Sequence, residues 1–63
     1  MTEEQAWELA QERAPDITTL FGEGYEELGG DWLVHVVNLH GGGLGVSLYK
    51  IQLVHTTIQS QEG

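Results

Sequence analysis

Apolar and polar residues recur with two different periods along this chain, and the period changes at Pro15. Before it, Ala6, Trp7, Leu9, Ala10 and Ala14 gather on one side of a helical wheel, with Glu4, Glu8, Gln11 and Glu12 largely on the other. Thr2 followed by Gln5 fits a capping box. Glu3 and Glu4 suit the positive end of the helix dipole, and Arg13 suits the negative end. Pro15 disfavours helical geometry at Ala14. The pattern predicts a helix over residues 3–14, roughly 18 Å long at about 1.5 Å per residue, which needs a surface to lie on.

After Pro15 the chain reads as strands. "ITTLF" and "YEEL" predict a strand over 17–28, in which Gly22 and Gly24 admit either a bulge or a break. "GGD" marks a turn. "WLVHVVNL" predicts a strand over 32–39 and "VSLYKIQLVHTTI" one over 46–58, with 59–63 a frayed tail. The expected fold class is α+β: one N-terminal helix packed on a three- or four-stranded antiparallel β-meander, in a single small domain.

The stretch "NLHGGGLGVSLY", residues 38–49, sets the expected pairing. A two-residue turn at Gly42-Gly43 suits the positive φ that tight hairpins require. It places Leu39 opposite Val46, Val37 opposite Leu48, His35 opposite Lys50 and Leu33 opposite Gln52. The other face then collects Trp32, Val34, Val36, Tyr49, Ile51 and Leu53 as an unbroken apolar set, and a slip of one residue would spoil that sorting. These residues are expected to form the core with Trp7, Leu9 and Ala10, so that Ile51→Ala would cost about 2–5 kcal/mol.

The same register leaves apolar area on the second face: Leu33, Val37, Leu39, Val46, Leu48 and Val54, mixed with His35, Lys50 and Gln52. One short helix cannot cover both faces, and uncovered apolar area commonly marks an interface. A strand over 46–58 would also span about 43 Å, against a diameter of roughly 27 Å for a compact chain of this length. The last strand must therefore bend or reach past its own domain. Both features predict a homodimer.

Charge narrows the choice of partner. Ten acidic residues face two basic ones, Arg13 and Lys50, for a net charge of −8. That surplus opposes binding to phosphate backbones and to anionic membrane surfaces. It keeps a small protein in solution and speeds encounter with a basic protein. The absence of cysteine rules out disulfides and thiolate zinc sites. The first residues lack the basic and apolar regions of a secretory signal, and "WLVHVV" is far too short to span a membrane. The expected localisation is cytoplasmic.

Candidate chemistry is sparse. "HGGG" resembles an oxyanion strip, but no G-x-S-x-G accompanies it. No lysine follows the glycines directly as in a phosphate loop, and "GLG" lacks the third glycine of a dinucleotide fingerprint. His35 and His55 are expected on opposite faces and His40 at the turn, so one protomer does not bring three histidines to one ion. "EGYEELGGD" does not match a calcium loop; its carboxylates read as a solvated edge that discourages strand-to-strand aggregation. No catalytic, cofactor-binding or metal-binding residue is expected. The favoured function is a non-enzymatic protein that binds another protein, in its sharpest form an inhibitor or immunity-type factor directed at a basic, nucleic-acid-binding surface. The expected partner-binding residues are Glu4, Glu8, Glu12, Glu26 and Glu27 with Leu33, Val37 and Leu48. The alternatives are a self-associating structural protein, and a small ligand-binding or catalytic domain using the glycine-rich loop 41–45.

Overall fold

The computed structural model describes residues 1–17 and 19–60. Helix α1 (Glu3–Arg13) starts at the capping box written in its sequence. The Thr2 N–H donates to Gln5 Oε1 at 2.9 Å, and the Gln5 N–H donates to Thr2 Oγ1 at 3.1 Å, so two amides that lack helical partners are satisfied. A single 3₁₀ turn over Ala14–Asp16 follows, with Pro15 in its first positions, where its missing N–H forfeits no bond. Four strands complete the chain: β1 (Glu23–Gly29), β2 (Trp32–Asn38), β3 (Leu44–Tyr49) and β4 (Leu53–Gln59). They form one antiparallel sheet in the order β1-β2-β3-β4. The fold is α+β, one helix on a four-stranded meander.

The pairing of β2 with β3 differs from the expected register. Val36 opposes Val46, Val34 opposes Leu48 and Leu33 opposes Tyr49. Val46 thus pairs three residues away from Leu39, its expected partner, and an odd offset exchanges the two faces of β3. The joining loop is longer than a Gly42-Gly43 turn and runs over residues 39–43. It is closed by the Leu39 N–H donating to the Gly43 carbonyl at 3.0 Å and the Gly42 N–H donating to the Leu39 carbonyl at 3.4 Å. Gly42 has φ 96° and Gly43 φ 157°. A Cβ on Gly43 would stand 3.1 Å from the Gln59 carbonyl oxygen, so this glycine lets the end of β4 come close. The two-residue turn lies instead between β1 and β2, where Gly30 and Asp31 have φ 60° and 68°, the left-handed pair that a type I′ hairpin needs.

Two expected strands are also redrawn. The segment 46–58 is a hairpin, turned at Lys50–Gln52 with the Lys50 N–H donating to the Gln52 carbonyl at 3.1 Å. This turn removes the excess length of a single strand. The segment 17–22 does not extend β1: Leu20 makes only an isolated bridge to Glu23, and Phe21 and Gly22 turn between them at φ 60° and 91°. Thr18 lies outside the described residues. Of the expected tail, Gln59 closes β4, and residues 61–63 lie outside the described residues.

The core explains the register. Ala6, Ala10 and Ala14 recur every fourth residue on one helix face, and all are buried. Their single methyls let the helix backbone settle close to the sheet, which meets it with Trp32, Val34, Val36, Leu44, Val46 and Leu48. Val34, Val36, Val46 and Leu48 are fully buried in that space, and Trp32 is buried beside them. Trp7, Ile17, Leu28 and Val54 pack around the rim. The expected core is therefore correct at Ala10, Trp32, Val34 and Val36, with Trp7 at its rim, and incorrect at Leu9, which is half-buried outside the cluster, and at Tyr49, Ile51 and Leu53. Tyr49 is half-buried on the opposite face, Leu53 is 50% exposed and Ile51, at a turn, is 98% exposed.

The register makes opposite demands on two similar substitutions. Leu48→Ala should lower the unfolding free energy in urea by about 2–5 kcal/mol, whereas Ile51→Ala should stay within about 0.5 kcal/mol of the parent. Equal losses at the two positions would contradict the observed faces.

Candidate functional site

The sheet face turned away from α1 is left without a covering element among the described residues. Strand pairing arranges it in three rows. Glu23, Val37, Gly45 and Ile58 form the first, Tyr25, His35, Ser47 and Thr56 the second, and Glu27, Leu33, Tyr49 and Leu53 the third. The outer rows are mainly apolar and begin with a glutamate on β1; the middle row is polar and aromatic. Tyr25 is 59% exposed and Ile58 67%.

Side-chain contacts stiffen the middle row. Tyr25 and His35 stack with ring centroids 4.4 Å apart and planes 16° from parallel. Glu23 Oε2 lies 3.3 Å from His35 Nε2, and the Ser47 and Thr56 hydroxyls are 3.0 Å apart. A serine, a histidine and a glutamate thus share a surface, yet the Ser47 hydroxyl is engaged by Thr56. A nucleophile–base pair would require it to meet the imidazole. The row sits on the open face of the sheet. Its chemistry suits recognition by stacking and hydrogen bonding.

A groove of about 590 Å³ continues the third row at the end of the sheet, between the β1–β2 and β3–β4 turns, with Glu27, Asp31, Trp32, Leu33, Lys50 and Ile51 among its lining residues. Lys50 Nζ lies 4.8 Å from the centre of the Trp32 ring, a cation–π distance. Among the described residues, no group of three or more histidines, cysteines or carboxylates is placed to hold a metal ion. His35 lies on the open face and His55 on the helix face, as expected, where His55 Nε2 is 3.0 Å from Glu3 Oε2 and its ring stacks on Trp7.

The residues expected to bind a partner fall in four places. Glu4, Glu8 and Glu12 are exposed on the outer side of α1. Glu27, Leu33 and Val37 share the open sheet face. Leu48, expected beside Val37, is fully buried under the helix because the faces of β3 are exchanged, and it cannot touch a partner. Glu26 is on the helix side of β1 and is tied to Arg13, whose Nε donates to Oε2 at 3.1 Å and whose Nη2 donates to Oε1 at 2.8 Å. Tyr25, Tyr49, Leu53 and Ile58 belong to the open face and were not legible as such, because placing them there requires the register. The glycine-rich loop 41–45 contributes only Gly45 to this face.

Comparison with models of protein families, with curated proteins and with solved structures finds no match for the chain. Among the described residues, no helix is long and apolar enough to cross a membrane.

The Arg13 hydrogen bond, with the guanidinium charge behind it, holds the Glu26 carboxyl below its ordinary range, against the opposing effect of partial burial. The same bond raises Arg13 above its usual value. A carboxyl lowered in the folded state stabilises the fold above its unfolded pKa, about 4.3 for glutamate, and that contribution disappears as the pH falls through the folded value. The stability advantage of the parent over Glu26→Gln should therefore be present at neutral pH and shrink in acid below about 4.3. Both side chains reach solvent, so the advantage should be small and reduced by salt. Urea unfolding at a series of pH values checks this; a difference independent of pH would contradict the pairing.

Proposed function

We propose that this protein binds another protein, without turnover, through the open face of its sheet, and that the partner surface is basic. The observation that carries the reading is the joint presence on that face of apolar side chains, Leu53 and Ile58 the most exposed of them, and of the Glu23 and Glu27 carboxylates. Leu33, Val37, Tyr49, Leu53 and Ile58 supply apolar area of the kind that gives affinity. Glu23 and Glu27 flank it along β1.

Charge supports a basic occupant. The chain has only two basic side chains. Arg13 is engaged by Glu26, and Lys50 lies over Trp32. The remaining surface is therefore strongly negative, which attracts a cationic partner and repels nucleic acid. Occupying a basic surface that ordinarily meets phosphates makes the action that of an inhibitor. The outer face of α1, with Glu4, Glu8 and Glu12, points away from the sheet face and has few apolar neighbours, so it steers and does not dock.

The test is retention of proteins from the native host on three immobilised forms: the parent, Leu33→Lys with Val37→Lys, and Glu8→Lys with Glu12→Lys. A basic protein held by the parent and the helix form, lost by the sheet form, and released as salt rises toward 0.15 M, where screening acts over about 8 Å, is the expected result. Loss on the helix form with retention on the sheet form would overturn the assignment. Circular dichroism of all three forms controls for folding.

A further inference from the structure

The two edges of the sheet are built differently, and we infer that β4 is the strand through which two copies of this chain pair. β1 and β4 are the edge strands. β1 reads Glu-Gly-Tyr-Glu-Glu-Leu-Gly, with three glutamates and a pairing irregularity between Glu27 and Gly29. Charges and bulges are the devices that stop an edge from accepting another strand. β4 reads Leu-Val-His-Thr-Thr-Ile-Gln. It has no proline, lysine, arginine or carboxylate, and β-branched residues fill its middle. Its one irregularity lies at its start, beside Tyr49. Its outer row of backbone N–H and C=O groups is a template for a further strand.

A second copy is the occupant that the charge distribution allows here. Two chains of net charge −8 repel wherever their carboxylates meet. The β1 glutamates stand three strand spacings from β4, about 14 Å, beyond the screening length of about 8 Å at physiological salt. Among the described residues, the carboxylate in contact with β4 is Glu3, which faces His55 at 3.0 Å. β4 itself carries no carboxylate, so like copies meet there without acidic side chains on the pairing strands. Antiparallel pairing about a two-fold axis at Thr56, the midpoint of Leu53–Gln59, overlaps the whole strand with itself. It sets Thr56 against its own copy, a favourable cross-strand pair, and joins two four-stranded sheets into one without internal edges. The pairing uses the backbone edge and leaves most of the open face free.

Charge swapping at Thr56 tests this directly, because the two-fold axis makes the residue its own neighbour. In sedimentation from low-micromolar to near-millimolar concentration, the parent should pass from chain mass to twice chain mass, and the β4 amides should gain protection from hydrogen exchange over the same range. Thr56→Lys and Thr56→Glu should each remain at chain mass. An equimolar mixture of the two should restore a mixed dimer, which also shows that both variants are folded. A parent that stays at chain mass throughout overturns the inference and leaves the edge to a strand from a different protein. So does a dimer that survives Thr56→Lys but is lost in Val37→Lys, which would place the contact on the open face.

Discussion

The close approach of three alanines to the sheet determines the rest of this structure. Ala6, Ala10 and Ala14 present only methyl groups, so α1 lies near enough to bury Val34, Val36, Val46 and Leu48 completely. Interiors are packed like crystals, and a space of this depth accepts some side chains and refuses others. In the observed register Val46 and Leu48 fill it and Tyr49 lies on the other face. The identity of the two sheet faces follows from that register. A single helix covers one face, so the other remains open.

Polar contacts hold the helix over the face it covers. Across the helix side, Glu26, Val34, Leu48 and His55 form one row from β1 to β4. Arg13, at the end of α1, grips Glu26 on one edge strand; Glu3 and Trp7, at its beginning, meet His55 on the other. Gln59 adds a third tie, its Nε2 donating to the Gln11 carbonyl at 2.8 Å. The acidic excess comes from composition, ten carboxylates against two basic side chains, and these contacts place both basic groups beside partners of their own chain.

The helix and β2 were legible in the sequence because their signals are local. A capping box, a proline stop and a four-residue alanine spacing need no knowledge of the rest of the chain, and the alternation in "WLVHVV" assigns Leu33 and Val37 to one face unaided. The β2–β3 loop was not legible, since its glycines fit several loop lengths, and the right one is chosen by packing under α1. The Lys50–Gln52 turn carries no glycine, proline, asparagine or aspartate, so nothing local separates β3 from β4. Phe21 at positive φ defeats the same rules, because a bulky residue rarely adopts that conformation. The expected register alone puts Leu48 on the open surface. The Tyr25–His35 stack and the Ser47–Thr56 contact are not legible in the sequence because each joins strands whose pairing it leaves open.

The register of β2 with β3 is the claim on which the core, the open face and the unpaired edge all rest. Proton–proton contacts across these strands, measured by NMR on the labelled chain, report it without perturbing the molecule. The observed fold predicts contacts between Val36 and Val46 and between Val34 and Leu48, together with contacts from the Ala10 methyl to the sheet valines. Contacts between Val36 and Tyr49 and between Leu39 and Val46 would contradict it, and would return Tyr49 and Ile51 to the core.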